Sequence, residues 1–128
     1  MSWVSALADA TPILKVFDGS PPALHGVRVH EVTVQANGPQ LLLRVDLAEF
    51  PDSPPPKWRM QGFNTVQVEI NLVGARDLRL EGFGRDLVVD VELEKEELVH
   101  LSVDSPDFRL SAVADAVLLA KVSAYANA

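Results

Sequence analysis

The sequence predicts a mainly β protein (α+β in minor part): an antiparallel β-sandwich or strongly bent sheet of about seven to eight strands behind a short N-terminal helix. Three observations predict it. Apolar residues alternate with period two over most of the chain after Val27. Turn signals rich in Gly, Pro, Asn and Asp separate those runs. No helical crossover lies between them to support parallel pairing.

The N-terminal part is the exception to the β rhythm. Trp3, Val4 and Leu7 fit one short amphipathic turn. Thr11 followed by Pro12 has the form of an N-cap and a first helical position, so a helix is expected over about residues 12–18. Ile13, Leu14 and Phe17 supply its apolar stripe, Asp18-Gly19 stops it, and Pro21-Pro22 imposes extended chain.

Val27 to Gln35 is β-rich, but its apolar phase slips between Val29 and Val32, which predicts a bulge or bend at His30-Glu31. Asn37-Gly38-Pro39 is a turn, after which Leu41, Leu43, Val45 and Leu47 share one strand face. Val66, Val68, Ile70 and Leu72 alternate with Thr65, Gln67, Glu69 and Asn71, one face dry and one wet. Gly74 ends that strand, Leu78 and Leu80 begin another, and Gly82-Phe83-Gly84 closes it. Leu87, Val89, Val91 and Leu93 read as one strand with Asp90 and Glu92 on its opposite face. Glu94 to Glu97 form a charged hairpin connection to Val99, Leu101 and Val103, and Asp104 to Asp107 turn again. Phe108, Leu110 and Ala112 open the last region. Residues 113–125 suit a short helix or a bulged strand about equally, with the preceding pattern favouring strand.

The 128 residues fit a single domain, 1–128, with no internal repeat or linker. Without cysteine there can be no disulfide, thiolate metal site or cysteine nucleophile, which fits a reducing compartment. No basic leader and no run of about 20 apolar residues is present, so a soluble, cytoplasmic protein without a membrane contact is expected. The net charge of −7 is lopsided: residues 1–60 hold six acids and five bases, whereas 61–128 hold twelve acids and six bases. Such a field repels nucleic acid and steers basic partners. The bland alternative is that it serves solubility alone.

Motifs for chemistry are missing. Neither a phosphate-cradling loop nor a nucleophile elbow occurs. His25, His30 and His100 have no second histidine within four residues, so they read as ordinary surface or edge histidines and no metal or other cofactor is expected. Asp86, Asp90 and Glu92 could in principle hold Ca²⁺ or work as acid and base, but alternating acids on a wet strand face are usually only solvated. Glu94, Glu96 and Glu97, interrupted by Lys95, read as a hairpin tip that discourages aggregation. If the partner is a basic protein, these six acids are its first expected contact.

Phe50 to Trp58 does not fit a simple hairpin. Four prolines between Pro51 and Pro56 favour extended polyproline geometry, and a loop this long is often functional. Trp58 with Lys57 either caps an open end of the core or anchors a partner.

Asp18-Gly19-Ser20-Pro21-Pro22-Ala23-Leu24-His25 before a strand, and Pro54-Pro55-Pro56-Lys57-Trp58 before Gly62-Phe63-Asn64-Thr65-Val66-Gln67-Val68, resemble the immunity protein 50 family of bacterial polymorphic toxin systems. Trp3, Pro21, Pro22, Lys57, Trp58 and Asn64 are the matching positions, and the C-terminal third matches only in strand rhythm. The resemblance implies a cytoplasmic protein that binds and neutralises a cognate toxin encoded beside it. The missing catalytic groups point to a non-enzyme, and an unpaired edge strand leaves both monomer and homodimer open. Three function classes follow in order: protein binding, a small-molecule-binding β domain with an apolar interior, and a hydrolase using Asp90 or Glu92 with a histidine. Few aromatics and no convergent polar group argue against the second. Nothing in the spacing supports the third.

Overall fold

The computed structural model describes residues 2–127. A 3₁₀ turn at Trp3–Ala6 leads to α1 (Thr11–Val16), then to β1 (Val27–Gln35) and β2 (Gln40–Asp46), α2 (Pro56–Met60), β3 (Thr65–Val73) and β4 (Arg76–Glu81). The chain continues as β5 (Leu87–Val89), β6 (Val91–Lys95), β7 (Val99–Asp104), β8 (Arg109–Ala114) and β9 (Ala116–Tyr125). These strands form two antiparallel sheets, one ordered β5-β1-β2-β3-β9 and the other β4-β8-β7-β6.

The period-two pattern sets the core. Leu41, Leu43 and Val45 of β2 and Val66, Val68, Ile70 and Leu72 of β3 are fully buried on the inner face of the first sheet. Leu101, Val103, Leu110, Ala112 and Phe108 line the inner face of the second. Each such Val or Leu contributes on the order of 1.5–3 kcal/mol by leaving water, so the alternation fixes which face points inward.

Nine strands rather than seven or eight arise because one predicted strand is two. Leu87, Val89, Val91 and Leu93 are all buried, but Asp90 stands at a corner where the chain leaves the first sheet for the second. Its Oδ1 accepts the Gly26 N–H at 2.9 Å, and the Val91 N–H donates to Leu24 O at 2.8 Å. The same device recurs between β8 and β9: Asp115 Oδ1 accepts from Arg76 Nη1 at 3.1 Å, and its N–H donates to Val73 O. An apolar alternation passes through such a corner unbroken, which is why the pattern reads as one strand.

The slip at His30-Glu31 is a bulge, with Val29 opposite Val45 but Glu31 opposite Arg44. Residues 116–125 are strand, bulged between Lys121 and Leu119. Other details differ from expectation. Thr11 is the first helical residue, not the cap; its N–H donates to Asp9 Oδ1 at 3.0 Å and holds that carboxyl below its ordinary pKa. The proline run is not extended throughout, because Pro56 at the first position suits a helix and α2 begins there.

The edges are treated unequally. Leu7 forms a parallel bridge to Val117 on β9, and the 3₁₀ turn packs against β6. β4 has no such cover, and all six of its residues are exposed.

Candidate partner-binding surfaces

The acidic residues expected to meet a partner separate into two groups. Asp86 and Asp90 are exposed but already have partners within the chain: Asp86 Oδ1 lies 3.0 Å from Arg28 Nη1, and Asp90 caps the corner just described. Asp90 and Glu92 therefore do not share a strand face. Glu92 and Glu94 lie on the outer face of β6, opposite Ser102 and His100 of β7. Glu96 and Glu97 occupy the hairpin that follows, where the Glu96 N–H donates to Leu98 O at 3.0 Å. All four glutamates are exposed, and none forms an ion pair with a described residue.

Lys57 and Trp58 lie on α2. Lys57 is exposed, whereas Trp58 is half-buried with its ring 6.2 Å from that of Phe50. Trp58 thus closes the loop onto Phe50 and leaves part of its ring in water. Met60, two residues further, is 86% exposed.

A third surface has no signature in the sequence. On the outer face of the first sheet, Asp46 is only 4% exposed. Its carboxylate accepts from Gln67 Nε2 at 3.0 Å and from the Tyr125 hydroxyl, and it lies 2.7 Å from His30 Nε2. Burial alone would raise the Asp46 pKa, but these hydrogen bonds, Tyr125 foremost, hold it below its ordinary value. Burial, and then the hydrogen bond to Asp46, push Tyr125 up to about 12. The network continues through Gln67 to Arg44 (3.3 Å) and from Arg44 to Glu31 (3.1 Å). Hydrogen bonds from Thr33 and Arg44 keep Glu31 below its ordinary pKa.

The bulge at His30 places two successive polar side chains on this face, and register supplies the rest: Asp46 opposes Gln67, and Tyr125 opposes Thr65. Sequence reading missed the cluster because His30 and Asp46 are 16 positions apart, and Tyr125 and Asp46 are 79. The bulge was its one legible trace. Chemically the arrangement holds shape: Asp46 stays anionic with its acceptors engaged, and Tyr125 keeps its proton. A shallow depression of about 210 Å³ beside it is lined by Arg28, Asp46, Thr65, Val88 and Asn127. Among the described residues, no three His, Asp or Glu side chains are grouped to hold a metal ion. No described helix is long and apolar enough to cross a membrane.

Fold and surfaces together define a mainly β protein of two unclosed antiparallel sheets whose outer faces carry a fixed polar network and a separate acidic edge. The chain belongs to the immunity protein 50 family, whose model matches residues 9–125, and this membership supports an immunity-protein role. Trp3 lies outside the matched span. No curated protein and no solved structure matches the chain.

The residues that carry the family resemblance do structural work. Trp3 Nε1 donates to Pro22 O at 2.9 Å, tying the Pro-Pro segment to the buried 3₁₀ turn. The Asn64 side chain accepts the Asn127 N–H and donates to its carbonyl, both at 2.8 Å. Its amide thereby acts as one more peptide in the β3–β9 ladder.

Proposed function

We propose that this protein binds and neutralises a cognate toxin domain with a basic surface, acting in the cytoplasm by occupancy and not by catalysis. Family membership supports the role, and one observation carries the choice of surface. Glu92, Glu94, Glu96 and Glu97 follow one another along the outer face of β6 and its hairpin, exposed and without an ion pair to any described residue. A carboxylate with a partner in its own chain must share or give up that contact to meet another, which puts Asp86 and Asp90 second to the four glutamates. Free glutamates on a rim act mainly through association rate and specificity. Lys57 and Trp58 on α2 would supply the less salt-sensitive contact, since a partly exposed aromatic ring is a common anchor. Among the described residues, Leu, Val and Phe108 side chains pack the inner faces, which favours a protein partner over a small molecule held in the interior.

The test is a pull-down of the purified protein with the C-terminal domain of a toxin encoded beside its gene, at low and high salt, alongside growth rescue on co-expression. A stoichiometric complex that weakens with salt supports the glutamate surface. Tight binding that ignores salt moves the contact to Trp58 and α2. No complex and no rescue overturns the reading.

A further inference from the structure

We infer that the protein pairs with a second copy of itself through β4, edge to edge and antiparallel about a two-fold axis at Leu80. β4 is an edge of its sheet, so one side of its backbone has no ladder partner. It is also the only named strand whose residues are all exposed among those described. Three large apolar side chains collect there: Leu78 at 37% exposure, Leu80 at 42% and Phe83 at 57%. Phe83 is held edge-on to the buried Phe108, with ring centroids 5.7 Å apart, so its position is fixed before any partner arrives.

Charge decides the occupant. Register puts Leu80 opposite buried Leu110, on the inner face, and puts Arg79 and Glu81 opposite Ser111 and Arg109, on the outer face. Neither Arg79 nor Glu81 forms an ion pair with a described residue, and Arg109 is already committed to Asp104 at 3.1 Å. In an antiparallel pair centred on Leu80, Arg79 of each copy stands opposite Glu81 of the other. Two reciprocal ion pairs then flank a Leu80–Leu80 contact, within the regularly paired stretch Arg79–Glu81. The strand is complementary to itself.

The opposite edge of the same sheet makes the contrast. On β6 the outer-face charges are Glu92 and Glu94, so the equivalent two-fold pairing would set carboxylate against carboxylate. That edge repels its copy, and the 3₁₀ turn packs against it. Asp77, at φ 55° within the register shift between Arg76 and Arg79, interrupts regular pairing on the N-terminal side of β4. The regular contact is therefore short, and because the two-fold axis uses the same edge on both copies it closes as a dimer instead of growing into a fibre.

The full chain should sediment as a concentration-dependent monomer–dimer. Leu80→Arg should leave only monomer. Arg79→Glu and Glu81→Arg should each weaken the dimer about tenfold, since each turns two attractive cross-strand pairs into repulsive ones. Combining them should restore the dimer, because the pairs reform with sign exchanged. Circular dichroism checks that each variant is folded, and if Leu80→Arg is not, the charge-swap series decides alone. A chain monomeric at every concentration overturns the inference. So does a dimer that survives Leu80→Arg in the folded state, or a double swap no stronger than the singles. A monomer whose toxin complex is lost with Leu80→Arg would give this edge to a toxin strand and overturn it as well. The result stands apart from toxin binding, which is read by the pull-down and not by self-association.

Discussion

Asp46 is an anionic side chain almost wholly removed from water on a sheet face that is otherwise wet, and its neighbours explain how it remains charged. Three donor groups surround it, and a carboxylate with such partners is stabilised as the anion. Stability follows from the two pKa displacements. The Asp46 pKa is depressed from 3.8, so its contribution is present above the unfolded value and is lost as pH falls through the folded one. The Tyr125 pKa is raised from 10.0 to about 12, so its contribution is complete below pH 10 and disappears as pH climbs towards 12. Tyr125→Phe should cost about 1.5–3 kcal/mol at neutral pH, the range for hydrogen bonds to charged groups. It should also remove the decline in stability between pH 10 and 12, which urea unfolding across that interval measures. An unaltered alkaline decline would assign it to another group. Beyond the bulge at His30, none of this was legible in the sequence, because which side chains meet across a sheet depends on register, and His30, Asp46 and Tyr125 come from three strands. The Asn64 clamp was half legible: the asparagine before the strand could be noticed, but its partner Asn127 could not.

At the scale of elements, the sequence was clearest where burial alone decides. Val66 to Leu72 and Leu41 to Val45 form strands with the predicted inward faces, and the phase slip at His30 is a bulge. It was least clear where one residue redirects the chain without disturbing alternation, as at Asp90, or where proline serves two conformations, as at Pro56. The turn after β4 shows how such a redirection is held. At Gly82, with φ 66°, an added Cβ would lie 2.4 Å from the Asp107 carbonyl oxygen, a backbone atom with little freedom to retreat. Gly62, with φ 69°, faces open space. Both positions carry the left-handed penalty of about 1–2 kcal/mol for a residue with a side chain. Only Gly82 adds an overpacking cost of about 1–3 kcal/mol. Gly82→Ala should therefore destabilise the protein by more than Gly62→Ala, the pair being compared by thermal unfolding. Equal losses would mean that the Asp107 turn yields and is not a fixed wall. Since Phe83 follows directly, Gly82→Ala should also disturb its seat on Phe108.

For the whole molecule, the net charge of −7 is distributed by the fold rather than spread evenly. Arg28, Arg44, Arg76 and Arg109 are each paired with an acid within the chain, which removes much of the basic charge from competition. The four free glutamates of β6 and its hairpin then project a field with little opposition beyond Lys95. Their identity was legible in the sequence, but their independence from Asp86 and Asp90 was not, since the corner at Asp90 and the Arg28 contact are tertiary facts. Long-range attraction of this kind acts before contact and is screened over about 8 Å at physiological salt. Its signature is kinetic. Replacing Glu92, Glu94, Glu96 and Glu97 by glutamine should slow association with the proposed toxin partner about tenfold or more at low salt and flatten the salt dependence of that rate. Dissociation should change far less, because rim charges in high dielectric contribute little once the complex is formed. Surface-based binding kinetics over a salt series separate the two rates. A loss confined to dissociation would mean that the glutamates are buried in the contact itself, each facing a fixed cation. Unchanged rates at every salt would remove this edge from the encounter and leave the toxin contact to α2, with Lys57 and Trp58.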